Sequence, residues 1–380
     1  MERKSESEKC NVRFPLERLL AVQGFAVVDG GLATELERMG LDLKDRLWSA
    51  RLLVEDPDKI KKVHKNYLEA GADIIITSSY QATFQGFAQR GLSHSESQRL
   101  FALSISLAKE ARDAYWGEVA GEKKNKGELI KPLIAASVGP YGAHLNDGSE
   151  YDGRYGLTPS SLESLIDFHR ERLQLLLSLR PDLVACETIP CGAEAKALLR
   201  LMDELQPTEE GEGERNAQHI QAWFSYSCKD EKHLNSGERI ADCVRELLEE
   251  EAKSGRRKLV AAIGVNCTSP AFISGLLQNL MTALREAGRD IPLIVYPNSG
   301  EGWDAHSKEW TAPAETFSLE SMVAQWRQEG ASLIGGCCRT TPGTVTPSSC
   351  FLFFFFFFFF FMYVCIQIDS SYSAQSTLAP

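Results

Sequence analysis

With 380 residues, 43% hydrophobic and 24% charged, the chain is large and apolar enough to bury a sizeable core, which argues against a disordered protein. Its net charge of −11 argues against nucleic acid or an anionic membrane as partner, because such partners are bound by concentrated Lys and Arg. Ten cysteines, and a first segment without the apolar stretch of a secretion signal, favour a reducing, cytoplasmic compartment and a small-molecule partner.

Short apolar runs recur along the chain, and each except the last is followed by a helical pattern. Such alternation is typical of parallel strands covered by helices. Eight runs fit this description: residues 25–31, 72–80, 133–140, 183–189, 222–228, 259–267, 292–300 and 332–338. They predict an α/β protein of the (β/α)₈ or TIM barrel class, formed by a domain of residues 14–342.

The sequence indicates where the helix before the second apolar run begins and ends. Asp56 is expected to be the N-cap, Pro57 suits the first helical position, and Gly71 is expected to stop the helix.

The chain changes character after Pro342. Residues 350–366 are apolar throughout and contain a run of phenylalanine, at the short limit for crossing a bilayer. One interpretation is a membrane anchor; the one we prefer is translation of a retained intron or of a mispredicted gene model. In either case residues 343–380 form an atypical tail, and the last barrel helix is expected to be missing or replaced.

Polar and reactive residues concentrate where the runs pass into helices. They are Asp29, Gly30, Gly31, Tyr80, Gln81, Glu187, Thr188, Asn266, Cys267, Asn298, Cys337 and Cys338. Active sites of barrel enzymes form at this end of the strands.

Cysteines mark the ends of the sixth and eighth runs, as Cys267 in GVNC and as Cys337 and Cys338 in GGCC. Zinc binds thiolates tetrahedrally, and a catalytic zinc keeps one position open, so three cysteines predict such a site. Adjacent cysteines can also be ordinary core residues or a strained disulfide. Three others, Cys186, Cys228 and Cys243, are expected to be small buried side chains.

Two carboxylates are expected at the same mouth. Asp29 precedes Gly30 and Gly31, a corner that can present backbone N–H groups to an amino acid or can be only a turn. Glu187 follows an apolar strand, so it requires a cation, either a substrate ammonium or a neighbouring Lys or Arg.

The segment after the third run, residues 140–156, is rich in Gly, Asp and Tyr, which suits an ordered loop over a pocket. A polar lid without contact to a ligand is equally consistent with it. Neither metal-ligand spacing of histidines nor a nucleotide-binding glycine motif is found in the sequence.

Taken in order, DGGLATEL, TSSYQATFQGF, SVGPYGAHLNDGSEYDGRYG, ACETIP, GVNC, YPNSGE and GGCCRTTP make the chain resemble the homocysteine S-methyltransferase family, especially the plant enzymes that use S-methylmethionine. The resemblance implies zinc on Cys267, Cys337 and Cys338, with the homocysteine sulfur as fourth ligand. It also implies that carboxylates matching Asp29 and Glu187 bind the homocysteine amino group.

This resemblance leaves the methyl donor open. S-methylmethionine would give methionine as both products, whereas S-adenosylmethionine or betaine would serve as donor in a related barrel. Tyr80 or Tyr141 is expected to shelter a sulfonium through a cation–π contact. A monomer is expected, and an inactive truncated splice product is the alternative of a different class.

Overall fold

The structure is a computed structural model that describes residues 14–43, 48–123, 130–158, 161–206, 219–254, 258–304, 309–311 and 319–346. Its strands are β1 (Ala26–Val27), β2 (Ile74–Ile76), β3 (Leu133–Val138), β4 (Leu183–Ile189), β5 (Gln221–Tyr226), β6 (Val260–Asn266), β7 (Leu293–Tyr296), β8 (Gly302–Asp304), β9 (Glu309–Thr311) and β10 (Ala331–Ile334).

Eight of these strands form one parallel sheet in the order β1, β10, β7, β6, β5, β4, β3, β2. A parallel bridge between Val28 and Ile74 joins the first strand to the second and closes the barrel. The predicted (β/α)₈ barrel is confirmed, and each of the eight apolar runs overlaps one barrel strand, although β5 and β10 begin one residue before their runs. The remaining two strands, β8 and β9, form an antiparallel hairpin after β7.

The described helices separate the strands and cover the outside of the barrel. They are α1 (Pro15–Gln23), α2 (Leu32–Arg38), α3 (Leu52–Glu55), α4 (Pro57–Glu69), α5 (Phe84–Gln89), α6 (His94–Lys123), α7 (Tyr141–Leu145), α8 (Ser161–Ser178), α9 (Gly192–Glu204), α10 (Ile240–Ser254), α11 (Ile273–Glu286) and α12 (Leu319–Gln328). Four 3₁₀ turns accompany them: Trp48–Arg51, Ser149–Tyr151, Arg154–Leu157 and Pro270–Phe272.

Helix α4 shows how local sequence sets a boundary. It begins at Pro57, whose fixed φ and missing N–H suit the first helical position. It ends just before Gly71, which adopts φ of 98°. The predicted ends are confirmed, but the side chain of Asp56 makes no capping hydrogen bond.

The core has two layers. One fills the space between the strands and the outer helices. The other fills the barrel itself and combines small side chains such as Ala135 and Ala185 with larger ones such as Trp223. Leu16 and Leu19 of α1 belong to this inner layer, so α1 closes the amino end of the barrel and leaves the carboxyl end for the site.

After β10, residues 342–346 form a helical turn in which Val345 is buried. The rest of the predicted tail lies outside the described residues, so the missing or replaced last helix stays a prediction. Within the described ranges, no helix is both long and apolar enough to cross a membrane.

Candidate metal and substrate site

Three cysteine thiols meet at the carboxyl end of the barrel. Cys267 directly follows β6, while Cys337 and Cys338 follow β10 after two glycines, and β7 lies between those strands. The Sγ atom of Cys267 lies 2.7 Å from that of Cys337 and 3.5 Å from that of Cys338. All three ligand atoms lie within 4.8 Å of one another, which brings the three predicted metal ligands together.

This donor set suits zinc. Thiolates around a tetrahedral zinc lie roughly 3.8 Å apart, so the Cys267 and Cys337 thiols would separate by about 1 Å on binding. Hydrogen bonds from Cys267 and Cys337 hold the pKa of the Cys338 thiol well below its usual value. The hydrogen bond with Cys337 raises the pKa of the Cys267 thiol. A dication bound by the three thiols would favour their ionised form.

Asp29 lies two residues beyond β1 and is 3% exposed. Its Oδ2 atom accepts the backbone N–H of Ile76 at 2.9 Å, whereas its Oδ1 atom is buried without a hydrogen-bond partner among the described residues. Burial raises the pKa of this carboxyl well above its usual value, and the nearby charges of Glu187 and Cys337 raise it further. An arriving ammonium group would satisfy Oδ1 and stabilise the ionised form.

Glu187 lies in β4 and is 6% exposed. It accepts hydrogen bonds from the Ser137 hydroxyl at Oε1 and from the Tyr296 hydroxyl, 3.2 Å away, at Oε2. Burial raises the pKa of Glu187 to about 8 in spite of these hydrogen bonds. The alternative of a salt bridge is not observed, because no described Lys or Arg forms an ion pair with this carboxylate.

Tyr296 connects Glu187 to the inner layer of the barrel. Its hydroxyl receives the indole N–H of Trp223 at 3.0 Å and shares a hydrogen bond with Ser225. The Glu187 carboxylate is therefore oriented by a chain of buried side chains that the sequence analysis did not single out. The available signal was an aromatic residue with a polar atom within each of two apolar runs, Trp223 in β5 and Tyr296 in β7.

Asn266 locks the backbone beside the thiols. Its amide donates to Thr188 Oγ1 and accepts the Thr188 backbone N–H, each at 2.7 Å. Thr188 has φ of 59° and Cys267 has φ of 48°, both in the left-handed region that residues with a Cβ rarely adopt. The buried Asn266 amide is thus hydrogen-bonded to one strained residue, Thr188, and directly precedes the other, Cys267.

Gly30 and Gly31 allow the corner after β1 to approach the Cys337 loop. A Cβ on Gly31 would lie 2.6 Å from the Cys337 carbonyl oxygen, and one on Gly30 would lie 2.9 Å from the Tyr67 ring. The Gly31 N–H donates to Thr340 Oγ1 at 3.1 Å, so it is engaged within the protein. A role of these glycines in substrate binding stays a prediction.

Tyr80 lies after β2, and its ring packs against Gly139. A Cβ on Gly139 would lie 2.8 Å from the Tyr80 ring. Burial raises the pKa of Tyr80 well above its usual value, and the charges of Glu150 and Cys267 add to this effect. The pKa of Tyr151 is raised by burial and by the charges of Cys267 and Cys338. Glu150 and Tyr151 were not singled out from the sequence, although their loop was expected to cover the pocket.

Other candidates from the sequence are engaged in packing. Tyr141 packs its ring on Tyr155 and Phe168, with centroids 5.3 and 4.8 Å away. The cysteines expected to be small buried side chains, Cys186, Cys228 and Cys243, are buried as predicted.

Comparison with known proteins places the chain in a family. The family model described as homocysteine S-methyltransferase matches residues 26–347. The chain belongs to the homocysteine S-methyltransferase family. Its predicted resemblance is thereby confirmed, and the protein is assigned to a family of methyltransferase enzymes.

Individual homocysteine S-methyltransferases match nearly end to end. Homocysteine S-methyltransferase YbgG of Bacillus subtilis is 45% identical over 331 residues, covering 87% of this chain and 95% of that protein. Homocysteine S-methyltransferase 1 of Zea mays is 46% identical over 334 residues, with the same two coverages. The metallated form of the homocysteine methyltransferase MmuM from Escherichia coli superposes with a TM-score of 0.69 at 39% identity, covering 88% of this chain and 99% of that one.

Proposed function

We propose that this methyltransferase transfers a methyl group from S-methylmethionine to the thiol of L-homocysteine, using one zinc ion held by Cys267, Cys337 and Cys338. The observation that carries the proposal is the meeting of three thiols and two buried carboxylates at one barrel mouth. The thiols suit activation of a sulfur, and the carboxylates suit the amino group of the same substrate. The protein is expected to act as a monomer in the cytoplasm.

The reaction is a displacement at carbon. The homocysteine thiol releases its proton, and its sulfur attacks the methyl carbon of the donor sulfonium. The bond between that methyl group and the donor sulfur breaks, and its electron pair stays on the donor sulfur. Both products are methionine. Zinc, when bound, supplies a Lewis acid that lowers the pKa of the substrate thiol and so provides the nucleophile.

Asp29 and Glu187 would hold the ammonium group of homocysteine. Asp29 offers Oδ1, which has no partner among the described residues. Glu187 is oriented by Ser137 and Tyr296, and each of its oxygens has a further lone pair for an N–H donor. Binding through both carboxylates would align the substrate sulfur with the thiols, and alignment of this kind accounts for much of the rate of a displacement.

Zinc analysis and a methyl-transfer assay on the purified full chain test the proposal. About one zinc per chain and formation of methionine are expected. Replacing Cys267, Cys337 or Cys338 with serine should remove metal and activity, whereas the matched variant Cys243→Ser should retain both, because Cys243 is buried away from the three thiols. Full activity of Cys338→Ser would contradict the assignment.

The donor is tested separately by comparing S-methylmethionine, S-adenosylmethionine and betaine under one set of conditions. S-methylmethionine is expected to give the highest kcat/KM. A higher kcat/KM with either of the other donors would leave the homocysteine methyltransferase activity as proposed and change only the assigned methyl donor.

A further inference from the structure

Glu150 is an unusual residue in the loop between β3 and α8. It lies in the 3₁₀ turn Ser149–Tyr151 and is half-buried. Its Oε2 atom is enclosed and has no hydrogen-bond partner among the described residues. Burial raises the pKa of Glu150 to about 7, and the negative charge of Asp147 raises it further. In the described part of the chain, this carboxylate therefore lacks a cation that would offset its burial.

The backbone of Glu150 is held firmly in place. A Cβ on Gly142 would lie 2.4 Å from the Glu150 nitrogen, so the turn packs directly on α7. The Glu150 carbonyl accepts hydrogen bonds from Ser227 Oγ and Asn235 Nδ2, each 3.5 Å away. The turn is therefore fixed to the segment that follows β5, and the unpartnered carboxylate is not the result of a loosely placed loop.

Hydrogen bonds connect the Glu150 turn to the thiol end of the barrel. Ser227 Oγ, which donates to the Glu150 carbonyl, also lies 3.4 Å from the Thr188 carbonyl oxygen. Thr188 in turn is hydrogen-bonded to Asn266, the residue before Cys267.

Two aromatic rings share this region with Glu150. The charges of Glu150 and Cys267 act on both Tyr80 and Tyr151, and the charge of Glu187 acts on Tyr80 as well. The thiol end of the barrel therefore has a third carboxylate and two rings in addition to Asp29 and Glu187.

We propose that Glu150, Tyr80 and Tyr151 form the binding site of the methyl donor, in which Glu150 accepts the α-ammonium group and the two rings face the sulfonium. This inference rests on the proposed function. Glu150 requires a hydrogen-bond donor, and of the two cationic groups of S-methylmethionine only the ammonium carries N–H bonds. The charge of Cys267 acts on both rings, and aromatic faces stabilise a sulfonium without competing as nucleophiles.

The arrangement also accounts for release of the product. Methyl transfer converts the donor sulfonium into a neutral thioether, so the attraction to the rings is lost while the contact with Glu150 remains. The site is thereby selective for donors that have both an amino group and a sulfonium. Betaine, a quaternary ammonium without N–H bonds, would leave the Glu150 carboxylate without a partner.

The test compares zinc-loaded wild-type protein with Glu150→Gln, using two donors at saturating homocysteine. One donor is S-methylmethionine; the other is dimethylsulfonioacetate, a sulfonium carboxylate without an amino group. Glu150→Gln should lower kcat/KM for S-methylmethionine by about 10- to 100-fold, the usual effect of losing a charge-assisted hydrogen bond. It should change kcat/KM for dimethylsulfonioacetate less than about threefold and leave the KM for homocysteine unchanged.

Two further variants separate the roles. Tyr151→Leu removes a ring and should weaken use of both donors. Asp147→Asn makes the same acid-to-amide change at an exposed position of the same loop and should behave as wild type, since an asparagine oxygen can still accept the hydrogen bonds of Ser149. For Glu150→Gln, zinc content should match wild type and the melting temperature should not be lower than that of wild type, because the change removes a buried charge that lacks a cation.

Direct binding of S-methylmethionine, measured by calorimetry without homocysteine, separates this inference from the proposed function. If wild type turns over S-methylmethionine and Glu150→Gln has the same kcat/KM, the donor site is wrong and the proposed function stands. If wild type shows no turnover with any donor, the proposed function fails. In that case tighter binding by wild type than by Glu150→Gln would still support the site, and equal or absent binding would overturn it.

Discussion

Burial raises the pKa of both Asp29 and Glu187, because no cationic side chain in the described ranges offsets their loss of contact with water. Two such acids at one mouth favour a ligand that brings its own positive charge. The ammonium group of an amino acid provides it, and its binding would be accompanied by ionisation of the carboxyls.

We therefore expect Asp29→Asn and Glu187→Gln to weaken the use of homocysteine while leaving zinc content nearly intact. Losing one charge-assisted hydrogen bond should raise the KM for homocysteine by roughly 10- to 150-fold. Steady-state kinetics with homocysteine as the varied substrate, together with metal analysis, measure both effects. Unchanged kinetics in both variants would refute the role of these carboxylates.

The same burial makes stability depend on pH. The pKa of Glu187 is about 8 in the folded protein and near its ordinary value of 4.5 when unfolded, so the folded state binds the proton more tightly. The stabilisation is fully present below about pH 4.5 and is lost as pH rises through about 8, with a total of a few kcal/mol. Denaturation of the zinc-free protein between pH 5 and pH 9 should show this decline. Glu187→Gln should flatten it, and an unchanged slope would count against a protonated Glu187.

Residues at strand ends could be predicted from sequence, and residues that act through loops could not. Cys267, Cys337 and Cys338 follow apolar runs, so a barrel fold alone brings them to one mouth. Glu150 depends on the path of a loop, which no periodic pattern specifies. Likewise, the hydrogen bond from Asn266 to Thr188 joins two strand ends that are 78 residues apart in the chain.

At the scale of elements, a buried ionic network connects α8 and α9 to the loop over the site. Glu194 of α9 accepts hydrogen bonds from the Tyr141 backbone N–H and the Tyr155 hydroxyl, each at 2.6 Å. It also contacts His169 Nε2 of α8 at 2.8 Å, and Arg172 donates to the Gly139 carbonyl at 2.7 Å. Both ends of the loop that carries Glu150 are therefore fixed from the outer helices.

Glu194→Ala should destabilise the protein and loosen that loop. The change leaves several buried donors unpaired, each costing about 1–3 kcal/mol. We expect a lower midpoint of chemical denaturation and weaker use of the methyl donor at unchanged zinc content. Glu163→Ala, at an exposed position of α8, is the control for loss of a helical carboxylate. Equal denaturation midpoints for the two variants would show that the network contributes nothing.

The positions of the strands and helices could be predicted from apolar periodicity. Helix capping and the short turns at the mouth depend on tertiary contacts and could not. Pro57 starts α4 as expected, yet Asp56 does not cap it. The small turns of the mouth, such as Ser149–Tyr151, have no pattern of their own. They form because residues such as Gly142 allow the loop to fold closely on itself.

Over the whole molecule, α1 is the element that closes the barrel opposite the site. Leu16 and Leu19 pack with inner residues of several strands, including Leu133 and Leu183 at the starts of β3 and β4. The ring of Phe14 also contacts His219, just before β5, with centroids 4.9 Å apart. The fold thus depends on a helix that comes before the first strand.

Leu19→Ala should lower the free energy of unfolding by about 2–5 kcal/mol, because it removes a fully buried side chain from the barrel interior. Urea denaturation measures the loss, and Arg18→Gln on the exposed side of α1 is the control. Zinc content of the folded protein should not change, since α1 lies at the far end. A loss no larger than that of the control would mean that α1 does not seal the barrel.

The domain boundary near residue 342 and the atypical tail remain predictions. The family match extends to residue 347, and the helical turn of residues 342–346 lies within it.

The left-handed backbone of Thr188 and Cys267 is a source of strain at the mouth of the barrel. Such a conformation costs a residue with a Cβ on the order of 1 kcal/mol or more. Thr188→Gly would remove that strain, but it would also remove the hydroxyl that accepts a hydrogen bond from Asn266. The Asn266 amide left without its acceptor would cost about 1–3 kcal/mol, which offsets the strain relieved, so Thr188→Gly should loosen the mouth without stabilising the protein.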